Sequence, residues 1–350
     1  MTTAPPTTSP LLDLPGAVPA GGADDGVALH YGDPVAEQRA LDRAAGWVDR
    51  SHRGVLAVPG ADRLSWLHSI TSQHLERLPD GRGTEALVLS PHGHVEHHLL
   101  LAETGGTTWL DVEPGTAADL LRYLDAMRFL LRVEPRDATA ELGVLSLVGP
   151  AAADLLAAAG LPVPAGPYDV APLPGGAIGS GGLVRRMPWP GRDAADLLVP
   201  RASLLEVADR LGAAGATPAG VWAFEAARVA SRRPRLGHEI DHRTIPHEVG
   251  WIGAAVHLDK GCYRGQETVA RVHNLGRPPR RMVLLHLSGE SEQLPDAGTP
   301  ITLDARPVGF VGTAVRHHEL GQVALGLVKR STPDDARLEV AGLPAAIDVP

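Results

Sequence analysis

Breaks come often in this chain: 40 glycines and 31 prolines divide its 350 residues into short segments, which excludes long helical bundles and favours helices mixed with antiparallel strands. Asp33-Pro34 predicts an N-cap followed by proline in the first helical turn, opening a helix to about residue 45. The apolar spacing then predicts a strand over 54–58, a helix over 61–70, a hairpin of 85–89 with 95–102 turning at Pro91-His92-Gly93, a strand over 109–112 and a helix over 116–131. A similar order starts again with a strand over 143–148, a Gly149-Pro150 turn, a helix over 151–159, strands near 183–187 and 196–199, and a helix over 201–214. Val58-Pro59-Gly60-Ala61 and Val148-Gly149-Pro150-Ala151 each end a strand in a Gly/Pro turn that opens a helix, consistent with two βαββα-type units. Beyond Arg280 the pattern is β only, over 282–287, 307–315, 322–328 and 337–340, which predicts a small, closed or partly closed barrel.

Composition narrows the function classes. The net charge of −9 argues against a general nucleic-acid or acidic-membrane binder, so any anion site must be local. A single cysteine, Cys262, excludes an intrachain disulfide and any zinc or iron–sulfur centre built from several cysteines of one chain. No charge-free stretch is long enough to span a bilayer. Residues 1–26 carry no Lys or Arg and no long apolar core, and are expected to form a disordered tail rather than a signal peptide. The protein is expected to be cytoplasmic.

The most informative segment is Lys260-Gly261-Cys262-Tyr263-Arg264-Gly265-Gln266-Glu267. Gly261 and Gly265 permit tight backbone, so the thiol is expected on a sharp, reachable turn, and Lys260 and Arg264 two residues away favour the thiolate. The alternative is a small buried hydrophobe. Between residues 222 and 281 the chain carries eleven basic and six acidic side chains, a local excess that suits a small anionic ligand or a restricted contact with RNA.

Other motifs weigh less. His238-Glu239-Ile240-Asp241-His242 matches H-E-x-x-H, but Pro234, Gly237 and Pro246 leave little room for the helix that motif requires, so a pocket wall is expected instead of a zinc protease. His92, His94, His97 and His98 lie on the hairpin, where period two puts His92, His94 and His98 on one face. Surface histidines flanking a turn are the commoner explanation, and no metal ligand is assigned. Gly175-Gly176 through Gly181-Gly182 is too irregular for a phosphate cradle and reads as a flexible loop.

The segment 260–267 resembles the K-G-C-[FY]-x-G-Q-E signature of YgfZ-type folate-binding proteins, relatives of the glycine-cleavage T-protein, an aminomethyltransferase. The resemblance extends to Asp49-Arg50-Ser51-His52-Arg53-Gly54, to Phe224-Glu225-Ala226-Ala227-Arg228 followed by Asp241 and Pro246-His247-Glu248, and to Leu325-Gly326-Leu327-Val328-Lys329-Arg330. It implies an α+β fold: a three-lobed ring of two ferredoxin-like units, residues 27–140 and 141–278, and a C-terminal β-barrel over 279–350. It further implies tetrahydrofolate, or a one-carbon derivative, in the central hole. Glu225 would face the pterin, where a carboxylate can accept from two adjacent N–H groups. Arg228 and Arg271 would suit the glutamate tail, and Tyr263, Gln266 and Glu267 would complete the cofactor-binding set. The implied role is that of a monomeric accessory protein serving iron–sulfur enzymes or cluster carriers transiently, with Cys262, Lys260 and Arg264 as the reactive group.

One departure separates the relatives. T-proteins carry an Asp pair on the hairpin, whereas Gly93-His94-Val95-Glu96-His97-His98-Leu99 puts His at those positions. That weighs against ordinary aminomethyl transfer and leaves a folate-dependent transferase on a small amine as the alternative, with His97 or His98 moving a proton. A tRNA contact through residues 277–281 is the third, less favoured reading.

Overall fold

The structure is a computed structural model that describes residues 8–174, 181–191 and 193–349. The expected glycine-rich loop lies outside these residues except for Gly181 and Gly182. Seven α-helices occur among the described residues: α1 (Pro34–Arg43), α2 (Arg63–Ile70), α3 (Ala117–Met127), α4 (Ala152–Ala158), α5 (Leu204–Ala213), α6 (Val221–Ala230) and α7 (Gln266–Leu275). The Asp33 carboxylate caps α1 by accepting from the backbone N–H groups of Val35 and Ala36, so a local signal set this boundary.

The first sheet has five antiparallel strands in the order Arg82–Leu89, Val95–Thr104, Thr107–Val112, Gly54–Pro59 and Arg136–Asp137. The second has six, in the order Val170–Pro172, Leu183–Met187, Ala194–Pro200, Leu142–Val148, Gly46–Asp49 and Thr217–Ala219, of which only the last pair is parallel. Each sheet buries one face under its own helices. Leu56 and Val58 meet Leu67 and Leu120 in one core, and Leu145 and Leu197 meet Leu156 and Leu211 in the other. The opposite faces pack on each other through Val55, Ala57, Val144 and Leu198. Strands covered on both sides need apolar residues at successive positions, which is why Gly54–Pro59 and Leu142–Val148 read as continuous runs rather than alternating ones. Six strands close the C-terminal barrel in the order Arg280–Leu287, Gly321–Lys329, Arg306–His317, Pro300–Leu303, Leu338–Val340 and Leu343–Ile347. The α+β architecture of two sheet-and-helix units and a β-barrel is therefore the observed one.

Three expectations need correction. Residues 9–26 are not a disordered tail. Ser9 caps a short helical turn, Pro10–Asp13, and Leu11 is fully buried in the second core, because a few apolar anchors suffice to dock a segment of otherwise disorder-prone composition. The boundary at 140/141 does not divide the sheets, since Gly46–Asp49 pairs with Leu142–Val148. The third helix stops at Met127, and Phe129 and Leu130 beyond it are 83% and 92% exposed.

Candidate functional site

Charged residues inside otherwise apolar strands must find partners, because an unpaired buried charge is too costly to keep. Arg185 is fully buried and donates from one amino group to Asp111 (2.7 Å) and Asp196 (2.9 Å), joining strands of both sheets. Arg53 donates to Asp111 (3.0 Å) and Glu113 (2.9 Å), and Arg235 donates to Glu113 (2.8 Å) and, through both amino groups, to Asp24 (2.6 and 3.1 Å). Burial alone would raise the Glu113 pKa, but Arg235 and Arg53 outweigh it and hold the carboxyl well below its ordinary range. Asp24, also contacted by His52 at 2.9 Å, is lowered against its burial in the same way.

Helix α6 brings a second set to the same place. Gly220 precedes it with a backbone so close to Leu29 that an added Cβ would lie 2.1 Å from that carbonyl oxygen, and this approach sets the helix against the N-terminal segment. Glu225 and Arg228, one turn apart, then form a two-pronged pair with N···O distances of 2.9 and 2.7 Å. Arg228 also donates to Glu239 (3.1 Å) and to Thr313 of the barrel (2.6 Å). Burial opposes the charge on Glu225, yet Arg228 and Arg235 keep its pKa below the usual value.

Of these residues, Asp24, His52, Arg53, Glu113, Glu225, Arg228 and Arg235 wall a crevice where both sheet units meet α6, lined also by Arg50, His98, Leu100, Trp189, Val221, Phe224 and Pro234. Glu85, fully buried, organises one side by accepting from His98 Nε2 (2.9 Å), Trp189 Nε1 (3.0 Å), Arg233 (2.6 Å) and the Tyr168 hydroxyl. His98 stacks on Trp251 with ring centroids 4.5 Å apart, and Arg50 covers the Phe224 ring at 4.1 Å. A carboxylate, several guanidinium groups and flat aromatic walls make a donor set suited to a pterin. The free volume does not suit one: about 20 Å³ remains, room for roughly one water and far below the ~300 Å³ at which small-molecule pockets begin.

The Cys262 thiol is exposed, on a loop pinned from both sides. Lys260 Nζ donates to the carbonyls of His68 and Thr71, at 2.5 Å from the latter, and lies 4.9 Å from the Tyr263 ring centre. Burial draws the Lys260 pKa down to about 8 and pushes the Tyr263 hydroxyl up to about 12. Gln266 Oε1 accepts from the Tyr263 N–H (3.0 Å), and Arg264 pairs with Glu96 on the hairpin (3.0 Å). Gly265 adopts φ 83°, and a Cβ there would lie 2.5 Å from Ser90 O and 2.9 Å from the Gly93 Cα.

The residues read from sequence thus fall in two groups. Glu225 and Arg228 wall the crevice, whereas Lys260, Cys262, Tyr263, Arg264, Gln266, Glu267 and Arg271 do not line it. Gln266 and Arg264 secure the thiol loop, and Glu267 and Arg271 are exposed on α7. The H-E-x-x-H segment is not helical, Glu239 is buried against Arg228, and none of residues 238–242 lines the crevice, whose wall is formed by Pro234 and Arg235 just before them. A one-residue bulge between Val88 and Leu89 shifts the hairpin register ahead of His97, and beyond it His97 and His98 take opposite sides of the strand, as alternation expects, His98 reaching the crevice and His97 not. Arg280 is bonded to Asp241 and Glu248, and Arg281 to Asp334, which leaves little of segment 277–281 for phosphate. Reading by motif passed over Asp24, Asp111, Glu113, Arg185 and Arg235. A single charge inside an apolar strand, as in Trp109-Leu110-Asp111-Val112, is the signal that points to such a network.

Comparison with known proteins agrees with this geometry at the level of fold. The GCVT N-terminal domain family matches residues 30–260. A putative chloroplastic transferase of Arabidopsis thaliana is 27% identical over 93% of this chain and 75% of its own length. An aminomethyltransferase of Thermus thermophilus is 30% identical over 91% and 90% of the two chains. The crystal structure of the glycine cleavage system aminomethyltransferase T from Bartonella henselae superposes with a TM-score of 0.85 at 20% identity, covering 97% of this chain and 95% of that one. No helix among the described residues is long and apolar enough to cross a membrane.

Proposed function

The chain belongs to the GCVT N-terminal domain family, and from that membership we propose that it binds a tetrahydrofolate beside Glu225 and serves iron–sulfur enzymes through Cys262, in the manner of the YgfZ-type proteins whose signature segment 260–267 resembles. The carrying observation is the Glu225–Arg228 pair on α6, a carboxylate with two acceptors in line at a crevice shared by both sheet units. A pterin offering two adjacent N–H groups exchanges for the Arg228 fork at that carboxylate. With only about 20 Å³ free, binding requires side chains to withdraw, and release of the Asp24–Arg235 contact from the N-terminal segment would widen the crevice. The exposed thiol on a pinned loop supports the second half of the reading: Cys262 can meet a client's cluster or thiol without a change in the fold.

The test is calorimetric titration with tetrahydrofolate under reducing conditions. Sub-millimolar binding by the wild type, lost in Glu225→Gln and tightened in Asp24→Ala, is expected; no binding by the wild type or by Asp24→Ala overturns the pocket. In cells, Cys262→Ser is expected to lower the activity of cluster-containing enzymes while folate affinity is retained. Unchanged activities remove the accessory role.

A second reading, one-carbon transfer on a small amine, is favoured by the aminomethyltransferases that align over most of both chains. Against it, His98 is committed to Glu85 and stacked on Trp251, and His97 does not line the crevice, so the hairpin offers no free acid or base there. Turnover of any member of an amine panel with tetrahydrofolate would favour this reading over the first.

A further inference from the structure

On the face of α6 away from Glu225, the helix floors a separate cavity of about 200 Å³, lined by Ala227, Ser231, Gln38, Asp42, His317 and His318. It is walled in part by α1 and by the turn that joins the barrel strands Arg306–His317 and Gly321–Lys329. There Asp42, His318 and Glu319 each offer one ligand atom, and the three atoms lie within 4.8 Å of one another. We propose that Asp42, His318 and Glu319 form a binding site for a divalent transition-metal ion of the zinc type, fastening α1 to the barrel.

The donor set is one imidazole and two carboxylates, which suits a borderline ion such as Zn²⁺ better than the all-oxygen shell of Ca²⁺ or Mg²⁺. Three protein ligands leave a fourth position open, toward water or a small anion in the adjoining cavity. Ligand separations up to 4.8 Å contract to the edges of a metal tetrahedron by small rotations, which the exposed Asp42 and Glu319 can make.

The surroundings hold the histidine in place. The buried Gln38 side chain donates to the Arg316 carbonyl (3.0 Å) and accepts from the His318 N–H (2.9 Å), fixing the turn's backbone to α1. His317 Nδ1 accepts from the backbone N–H groups of Glu319 (3.1 Å) and Leu320 (3.2 Å), and its ring stacks on His318 at 4.7 Å. These contacts fix the backbone of the turn that carries His318 and Glu319, and the His317 ring limits the positions of the His318 imidazole. Among the described residues Glu319 has one competing cation, Arg43, at 3.5 Å in an exposed pair that contributes little. Asp42 and Glu319 are 277 positions apart in the chain, so no local spacing could announce the site.

The test is titration of the metal-free full chain with Zn²⁺ by calorimetry, and with Co²⁺ by visible absorption. One ion per chain is expected, with affinity reduced at least tenfold in Asp42→Asn and in His318→Ala and retained in Cys262→Ser. Zn²⁺ is also expected to raise the Tm of the wild type but not of those two variants, by mass action. Both side chains are at the surface and outside the cores, so the variants should match the wild-type Tm in chelator; if one does not, Glu319→Gln provides the same comparison. Equal affinity in wild type, Asp42→Asn and His318→Ala, loss of the ion only in Cys262→Ser, or no binding at 100-fold excess of metal over protein would each overturn the proposal.

Discussion

Replacing Arg53 by Met removes a charge from the centre of the buried network while keeping most of the side-chain volume. Arg53 is 3% exposed and supplies two charge-assisted hydrogen bonds, to Asp111 at 3.0 Å and to Glu113 at 2.9 Å. At about 1.5–3 kcal/mol each, these sum to roughly 3–6 kcal/mol. Two features reduce the loss. Asp111 keeps Arg185 at 2.7 Å and Glu113 keeps Arg235 at 2.8 Å, and removal of Arg53 relieves its repulsion of Arg50, whose pKa burial and Arg53 together draw down to about 10. A net cost of about 3 kcal/mol follows, within the range for breaking a buried pair. With an m value of about 3 kcal/mol per molar urea, the midpoint falls by about 1 M.

The pH dependence follows in sign. Asp111 and Glu113 are held below their ordinary values in the folded state, so their contribution is present above the unfolded carboxylate pKa of about 4 and fades as pH falls toward the folded values. The variant has less of this contribution to lose, so the gap between the two proteins narrows in acid. Urea unfolding followed by tryptophan fluorescence at pH 7.5 and at about pH 3.5, below the unfolded carboxylate pKa, measures both. A gap under about 1 kcal/mol at pH 7.5, or one that widens at the acid pH, would refute the assignment of Arg53 as a shared counter-ion.

Two further substitutions probe the corrected tail and the thiol loop. Leu11→Ala opens a cavity in the second core and is expected to cost about 2–4 kcal/mol, read as new protease cleavage before residue 31 and faster amide exchange there; an unchanged cleavage pattern would mean the segment is not docked by this residue. Gly265→Ala forces a Cβ onto backbone with φ 83° and into Ser90 O and Gly93, so the loop must leave the hairpin. A changed rate of thiol modification by an aromatic disulfide reagent, with the barrel and sheet cores intact by circular dichroism, is expected, and an unaltered rate would show that Gly265 does not set the thiol's position.

What sequence alone determined here is local. Asp33-Pro34 began a helix, the Gly/Pro turns at 59–60 and 149–150 followed strands and preceded α2 and α4, and the run of β patterns beyond Arg280 became the barrel, because caps, turns and periodicity act over a few residues. The exposure of Cys262 was equally legible, since glycines and charges on both sides leave a thiol little apolar surface to bury against. Tertiary structure decided the rest. The same composition that marks residues 9–26 as disorder-prone also contains Leu11 and Asp24, and only the second core and Arg235 give those two residues partners. Arg185, Asp111 and Asp196 come from three strands of two sheets, and Asp42 meets His318 across most of the chain. A buried charge announces that it needs a counter-ion but not which one, because the choice depends on strand order and register, and these are settled by long-range packing.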